Sequence, residues 1–174
     1  GDTLIFASGP ANLISTNNIG GLVLNQIRFL GGSGGYDIRG NSFTITNNVV
    51  ATNTAGANTI RNDIVLSGTN QTVEVATSLT LSGALSGSVG LIKTGGGTLT
   101  LSGSTANTYA GVTRAITGTL VLGKSTFDGA IPGDLEVGDA THSATNTYAT
   151  DNQIGNNAKV TLFNGSLMDL NTRV

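Results

Sequence analysis

Asp134, Glu136 and Asp139 form the densest acidic cluster of the sequence, so any chemistry is sought there first. Carboxylates two residues apart on an extended segment share one face, which suits a hard cation or acid and base work on a glycosidic bond. The same residues also read as solvated side chains beside a turn. That is the expected reading, because few basic residues lie near enough to hold an anionic sugar. Gly31-Gly-Ser-Gly-Gly-Tyr-Asp37 is close to the calcium-binding nonapeptide Gly-Gly-x-Gly-x-Asp, but its Asp falls one position late and the phrase occurs once, so no stacked calcium cage is expected. Gly95-Gly-Gly97 lacks the Gly-Lys-Ser/Thr and following helix of a phosphate loop. Lys93 precedes the glycines, and they read as a corner. His142, the single histidine, stands in the polar stretch Thr141 to Thr150 and is expected to be an exposed loop residue. Tyr36, Tyr109 and Tyr148 would stack on sugars if they shared a face, and would otherwise pack at corners. Asn70-Gln-Thr72 and Asn164-Gly-Ser166 are glycosylation sequons of a kind that arise by chance in so Ser-, Thr- and Asn-rich a chain. No catalytic, cofactor-binding or metal-binding residue is assigned.

The elements that must carry these residues are strands. Only 10% of the 174 residues are charged, and the formal net charge is −2, so the basic stripe of a nucleic-acid-binding protein is missing. The absence of Cys excludes disulfides and thiolate metal sites. No apolar run is long enough for a membrane-spanning helix. The 26 Gly and the many Thr, Ser and Asn favour turns and strands over helix interiors.

The strand phrases repeat. Leu79-Thr-Leu-Ser-Gly83 recurs letter for letter as Leu99-Thr-Leu-Ser-Gly103, and Ile64-Val-Leu-Ser-Gly68 is a near copy. Aligned by their first apolar residue, the phrases start at Leu22, Phe43, Ile64, Leu79, Leu99, Leu120, Leu135 and Val160, giving spacings of 21, 21, 15, 20, 21, 15 and 25. A period near 20 marks a solenoid or array. Within each phrase the period is 2: Leu99 and Leu101 point one way, Thr98 and Thr100 the other. The fold class expected is all-β, a parallel β-solenoid (β-helix) with coils of about 20 residues. About eight coils would make a rod roughly 40 Å long. The alternative is an antiparallel β-sandwich, which the spacings of 15 and 25 would suit. Residues 1–174 are expected to be a single β-solenoid repeat domain, a fragment of a longer surface protein. Its inward stack would be Phe43, Ile45, Ile64, Leu66, Leu79, Leu81, Leu99, Leu101, Leu120 and Leu122.

Gly90-Leu-Ile-Lys-Thr-Gly-Gly-Gly-Thr-Leu-Thr-Leu-Ser-Gly103, followed by Asn107-Thr-Tyr-Ala-Gly111 and Gly118-Thr-Leu-Val-Leu-Gly123, resembles the autotransporter-associated β-strand repeat, also called the passenger-associated transport repeat. The best-matching repeat is 90–123, and the flanks resemble degenerate copies. After Gly111 the family usually continues Thr-Thr, where this chain has Val112-Thr113-Arg114. The resemblance implies a right-handed parallel β-helix in the passenger of a secreted or outer-membrane-anchored bacterial surface protein. It also implies repeats that form a stem and aid export and folding, with no catalytic residues to carry over.

The leading functional expectation is therefore a non-catalytic structural stem that is extracellular, at the bacterial cell surface or outer membrane. A second is an adhesin or carbohydrate-binding module, in which exposed Thr and Asn ladders and the three tyrosines meet a glycan or a host or cell-surface ligand. A third is a β-helical polysaccharide-degrading enzyme resting on Asp134 and Glu136. The expected partners are neighbouring repeats of the same polypeptide, or other copies through self-association at the solenoid ends. Nucleic acid and a direct membrane span are not expected, nor is any cofactor.

Overall fold

The alternation of apolar and polar residues becomes a stack of parallel strands in a computed structural model, which describes residues 1–7, 13–32 and 35–173. There is no helix among the described residues. Eighteen strands form in chain order: β1 (Asp2–Phe6), β2 (Ile14–Asn17), β3 (Leu22–Phe29), β4 (Asp37–Gly40), β5 (Phe43–Ala51), β6 (Ala57–Ile60), β7 (Ile64–Leu66), β8 (Gln71–Val75), β9 (Ser78–Leu81), β10 (Leu85–Gly87), β11 (Leu91–Thr94), β12 (Thr98–Gly103), β13 (Thr113–Ala115), β14 (Gly118–Lys124), β15 (Leu135–Val137), β16 (Ala144–Tyr148), β17 (Val160–Leu162) and β18 (Leu167–Asp169). The chain alternates between two sheets. One runs β1-β3-β5-β8-β11-β13-β15-β17, and the other β2-β4-β6-β9-β12-β14-β16-β18. All strand pairings are parallel, as in β12 with β9 and with β14. The fold is thus a β-solenoid of about seven coils of roughly 22 residues, and the antiparallel sandwich is excluded. At the usual strand spacing, seven coils rise about 34 Å, one coil fewer than the sequence suggested.

The spacing of 15 has a plain cause. Leu22, Phe43 and Ile64 stack on one another in the first sheet, whereas Leu79, Leu99 and Leu120 stack in the second. Leu135 and Val160 return to the first. The phrases aligned as one ladder are therefore two ladders, and each step of 15 is the chain crossing from one sheet to the other within a coil. The expected inward residues are all buried. They form two walls instead of one stack: Phe43, Ile45, Ile64 and Leu66 on the first sheet, and Leu79, Leu81, Leu99, Leu101, Leu120 and Leu122 on the second.

The longest unbroken apolar ladder of the second sheet runs Ile38, Ile60, Leu81, Leu101, Leu122, Tyr148. Each of these side chains removes apolar surface from water against the coil above and below, a gain of about 1.5–3 kcal/mol for a full leucine or isoleucine. The first sheet divides where the chain has turn residues. β5 pairs through its first half with β7 and through its second half with β8, and Ser67–Asn70 make the corner between them.

Corners between the sheets depend on glycine where backbones nearly touch. Gly95 has φ +80, and a Cβ there would collide with the Val75 carbonyl oxygen; one on Gly97 would collide with that of Thr77. Gly96, between them, faces open space. The tight corner lets Gly97 N–H reach the Val75 carbonyl at 2.9 Å and Thr98 N–H the Thr77 carbonyl at 2.8 Å, so the hydrogen-bond ladder continues around the bend.

Candidate functional site

The acidic cluster does not converge. Glu136 lies beside Arg114 of the preceding coil, and the two side chains pair at 2.8 Å. Asp139 folds back on its own turn, accepting the backbone N–H groups of Thr141 at 2.8 Å and His142 at 2.7 Å. It also meets His142 Nδ1 at 2.9 Å. These bonds, the Thr141 N–H foremost, hold its carboxyl far below the usual range. His142 is exposed, and its visible role is to close this turn. Asp134 precedes β15, is exposed, and accepts the Lys159 N–H of the next coil at 2.8 Å. Among the described residues no three His, Cys, Asp or Glu side chains could hold a metal ion.

The glycine-rich phrase before β4 falls partly outside the described residues, at Ser33 and Gly34. Its Asp37 is bound by two guanidiniums, those of Arg39 and Arg61. Their hydrogen bonds lower its pKa to about 2. The three tyrosines are buried and form no sugar-stacking face. Tyr36 packs on Phe6 and Phe29 with its hydroxyl on the Ala7 carbonyl. Tyr109 is buried with its hydroxyl on Thr113 Oγ1 at 2.6 Å, and burial raises its pKa. Tyr148 ends the Leu122 ladder. At the sequons, Asn70 Oδ1 accepts Gly90 N–H at 2.8 Å, and Asn164 has φ +43 in the turn before β18.

Two features had been missed. The first is a pair of interior lysines. Lys93 points inward from β11 between Val73 and Ala115, with no exposure. Its Nζ donates to the carbonyls of Thr94 at 3.0 Å, Gly95 at 2.6 Å and Thr117 at 2.9 Å. All three ammonium donors are thereby used, and they tie together two successive corners. Lys124 is also fully buried. It pairs in register with Gly103 and reaches past it, two coils down, to the Gly83 carbonyl at 2.8 Å. Burial lowers both lysine pKa values to about 8, and for Lys124 the charge of Asp63 opposes the shift. The signal was in the alternation itself: Leu91 and Leu120 face inward, so Lys93 and Lys124, at even spacing from them, do too.

The second is an open groove of about 540 Å³ between two successive corner loops, 125–134 and 149–159, with Asp128, Pro132, Asp134, Asn156 and Asn157 among its walls. It arises where the coils are longest. Leu135 pairs with Val160, 25 residues on, and Val121 with Thr147, 26 residues on. Asp128 adopts φ +52, and its N–H bonds the Asn152 carbonyl of the next coil at 2.7 Å.

In comparisons with protein-family models, with curated proteins and with solved structures, nothing matches this chain.

Proposed function

We propose that this chain is a non-catalytic structural stem segment of a secreted or autotransported bacterial surface protein, supporting export, progressive folding and display outside the cell. The observation that carries the reading is what the residues of the Gly90–Gly123 phrase do. Residues along its whole length join their own coil to a neighbouring one. Lys93 and Gly95 form one corner and hold the next. Leu99 and Leu101 fill the wall between Leu79 and Leu81 below and Leu120 and Leu122 above. Asn107, nearly fully buried, accepts the Leu85 N–H at 2.9 Å and donates to the Ala130 carbonyl at 2.8 Å, so one amide spans three coils. Gly111 fits against Gly90 N, where any Cβ would collide.

In such a design stability is a sum of coil and nearest-neighbour terms, and folding propagates from any coil already formed. A chain leaving the cell through a narrow exit then folds coil by coil, with the coils already outside opposing backsliding, and needs neither ATP nor disulfides. The partners in this reading are further coils of the same polypeptide, pairing with the edge strands β1 and β2 or β17 and β18.

The test is display. The chain is fused between an export signal and an outer-membrane β-barrel anchor, and its appearance outside the cell is followed by protease shaving of intact bacteria. The native sequence is expected at the surface, and Leu99→Asp, which buries an unpaired charge, is expected to stall before reaching it or be degraded. Equal display of the two would contradict the reading.

A further inference from the structure

Loops 125–134 and 149–159 join neighbouring coils through their backbones, as in Asp128 N–H on the Asn152 carbonyl and Gly155 N–H on the Ile131 carbonyl, and they leave polar side chains around an open groove. We infer that it is a binding subsite for a neutral saccharide, taken by an aromatic platform at Phe127 and by acceptor groups at Asp128, Asp134, Asn156 and Asn157.

Phe127 is 77% exposed, the most exposed of the large apolar side chains among the described residues. It directly precedes Asp128, which forms part of the groove wall. Every other described phenylalanine except Phe163, itself 37% exposed, is buried or half-buried. The ring lies outside the hydrophobic core, and it offers the flat apolar surface that the C–H face of a pyranose covers.

The polar walls supply the complement. Asp134 Oδ1 is fixed by the Lys159 N–H, and Asp128 Oδ2 is met by Asn156 Nδ2 at 3.2 Å. No described residue bonds the second oxygen of either carboxylate, so each is oriented by one oxygen and free at the other. That arrangement accepts hydroxyl donors in charge-assisted hydrogen bonds. Asn157 adds an amide that both donates and accepts. A mostly preformed concavity with a few fixed polar groups is the usual form of a small-ligand site.

The charge of the groove selects the ligand class. No Lys or Arg lines it, while two carboxylates do. Uronates and sulfated sugars are therefore repelled, and neutral hexose polymers are not. The long coils make functional sense too. Residues added at the corners leave both sheets in register and build a site on their rim.

This inference does not rest on the stem reading, and its test is separate from display. The probes are hexamers of a neutral β-glucan, a mannan and a galactan, with a polygalacturonate hexamer as the charged comparison. Each is titrated into the full chain and followed by calorimetry. At least one neutral hexamer is expected to bind, with the uronate hexamer binding at least about tenfold more weakly. Phe127→Ala and Asp134→Asn are each expected to weaken the neutral ligand by about tenfold, with melting unchanged. Asn157→Ala, on the facing loop, should weaken binding without touching Phe127 or the carboxylates. Absence of heat with every neutral hexamer at about 10 mM would overturn the inference. So would equal binding of the uronate, or unchanged affinity in all three variants.

Discussion

Lys93 and Lys124 occupy positions where their strands would otherwise place leucine, and their chemistry sets how the protein answers to pH. In the unfolded chain a lysine loses its proton near pH 10.4. In the folded chain burial brings both down to about 8. Below pH 8 both states are protonated, and the cost of burying the charge is fully present. Between about 8 and 10.4 the unfolded chain binds more protons, so stability rises with pH. Tyr109 acts the other way above about pH 10, because burial keeps its phenol protonated in the folded state while the unfolded phenol ionises. Urea midpoints should therefore climb from about pH 7.5 to 9.5, and the climb should shrink in Lys93→Met. Parallel profiles for the two proteins would contradict this account. The glycines of the same corner make a second residue-scale test. Gly96→Ala should leave the melting temperature within a degree or two, whereas Gly97→Ala must move the Thr77 backbone and should cost a few kcal/mol.

At the scale of the element, the ladder is held by walls of leucine and by amides that cross coils. Leu99→Ala should cost about 2–5 kcal/mol, since both neighbours are themselves fully buried and the wall cannot collapse into the gap. Asn107→Ala leaves the Leu85 N–H and the Ala130 carbonyl without their partner and should cost about 1–3 kcal/mol, although it removes hardly any apolar contact. Denaturant titration of both variants measures these costs. Equal stability of Asn107→Ala and the native chain would show that the amide bridge is dispensable.

These elements also show what could be read in advance. The period-2 alternation placed the inward residues correctly, because the alternation is a property of each strand alone. It did not tell which sheet a strand joins. Ile64-Val-Leu-Ser-Gly68 lies in the first sheet and Leu79-Thr-Leu-Ser-Gly83 in the second, yet both have Ser-Gly after a similar inward aliphatic pair. Lys93 was legible by parity and was passed over as part of a glycine corner. Phe127 and the groove were not legible, because no local pattern says which loop residue stays in water. The spacing of 25 between Leu135 and Val160 pointed to the region without giving its geometry.

At the scale of the whole molecule, the account rests on one geometric claim: every coil lies one strand spacing above the last, with the second sheet in continuous register from β6 to β18. The second sheet offers outward positions on which this is directly measurable. Thr59, Thr80, Thr100, Val121, Thr147 and Asp169 succeed one another across six strands in a single outward column. The chain has no native Cys, so spin labels can be placed in pairs without background. Thr59 and Thr147 are four coil steps apart, and Thr59 and Asp169 five. Electron–electron dipolar spectroscopy on labels at these pairs should give backbone separations of about 19 Å and 24 Å, growing by about 4.8 Å per coil. Separations that do not grow with the number of coils, or a pair farther apart in the ladder lying closer in space, would contradict the stacked solenoid and with it the proposed stem function.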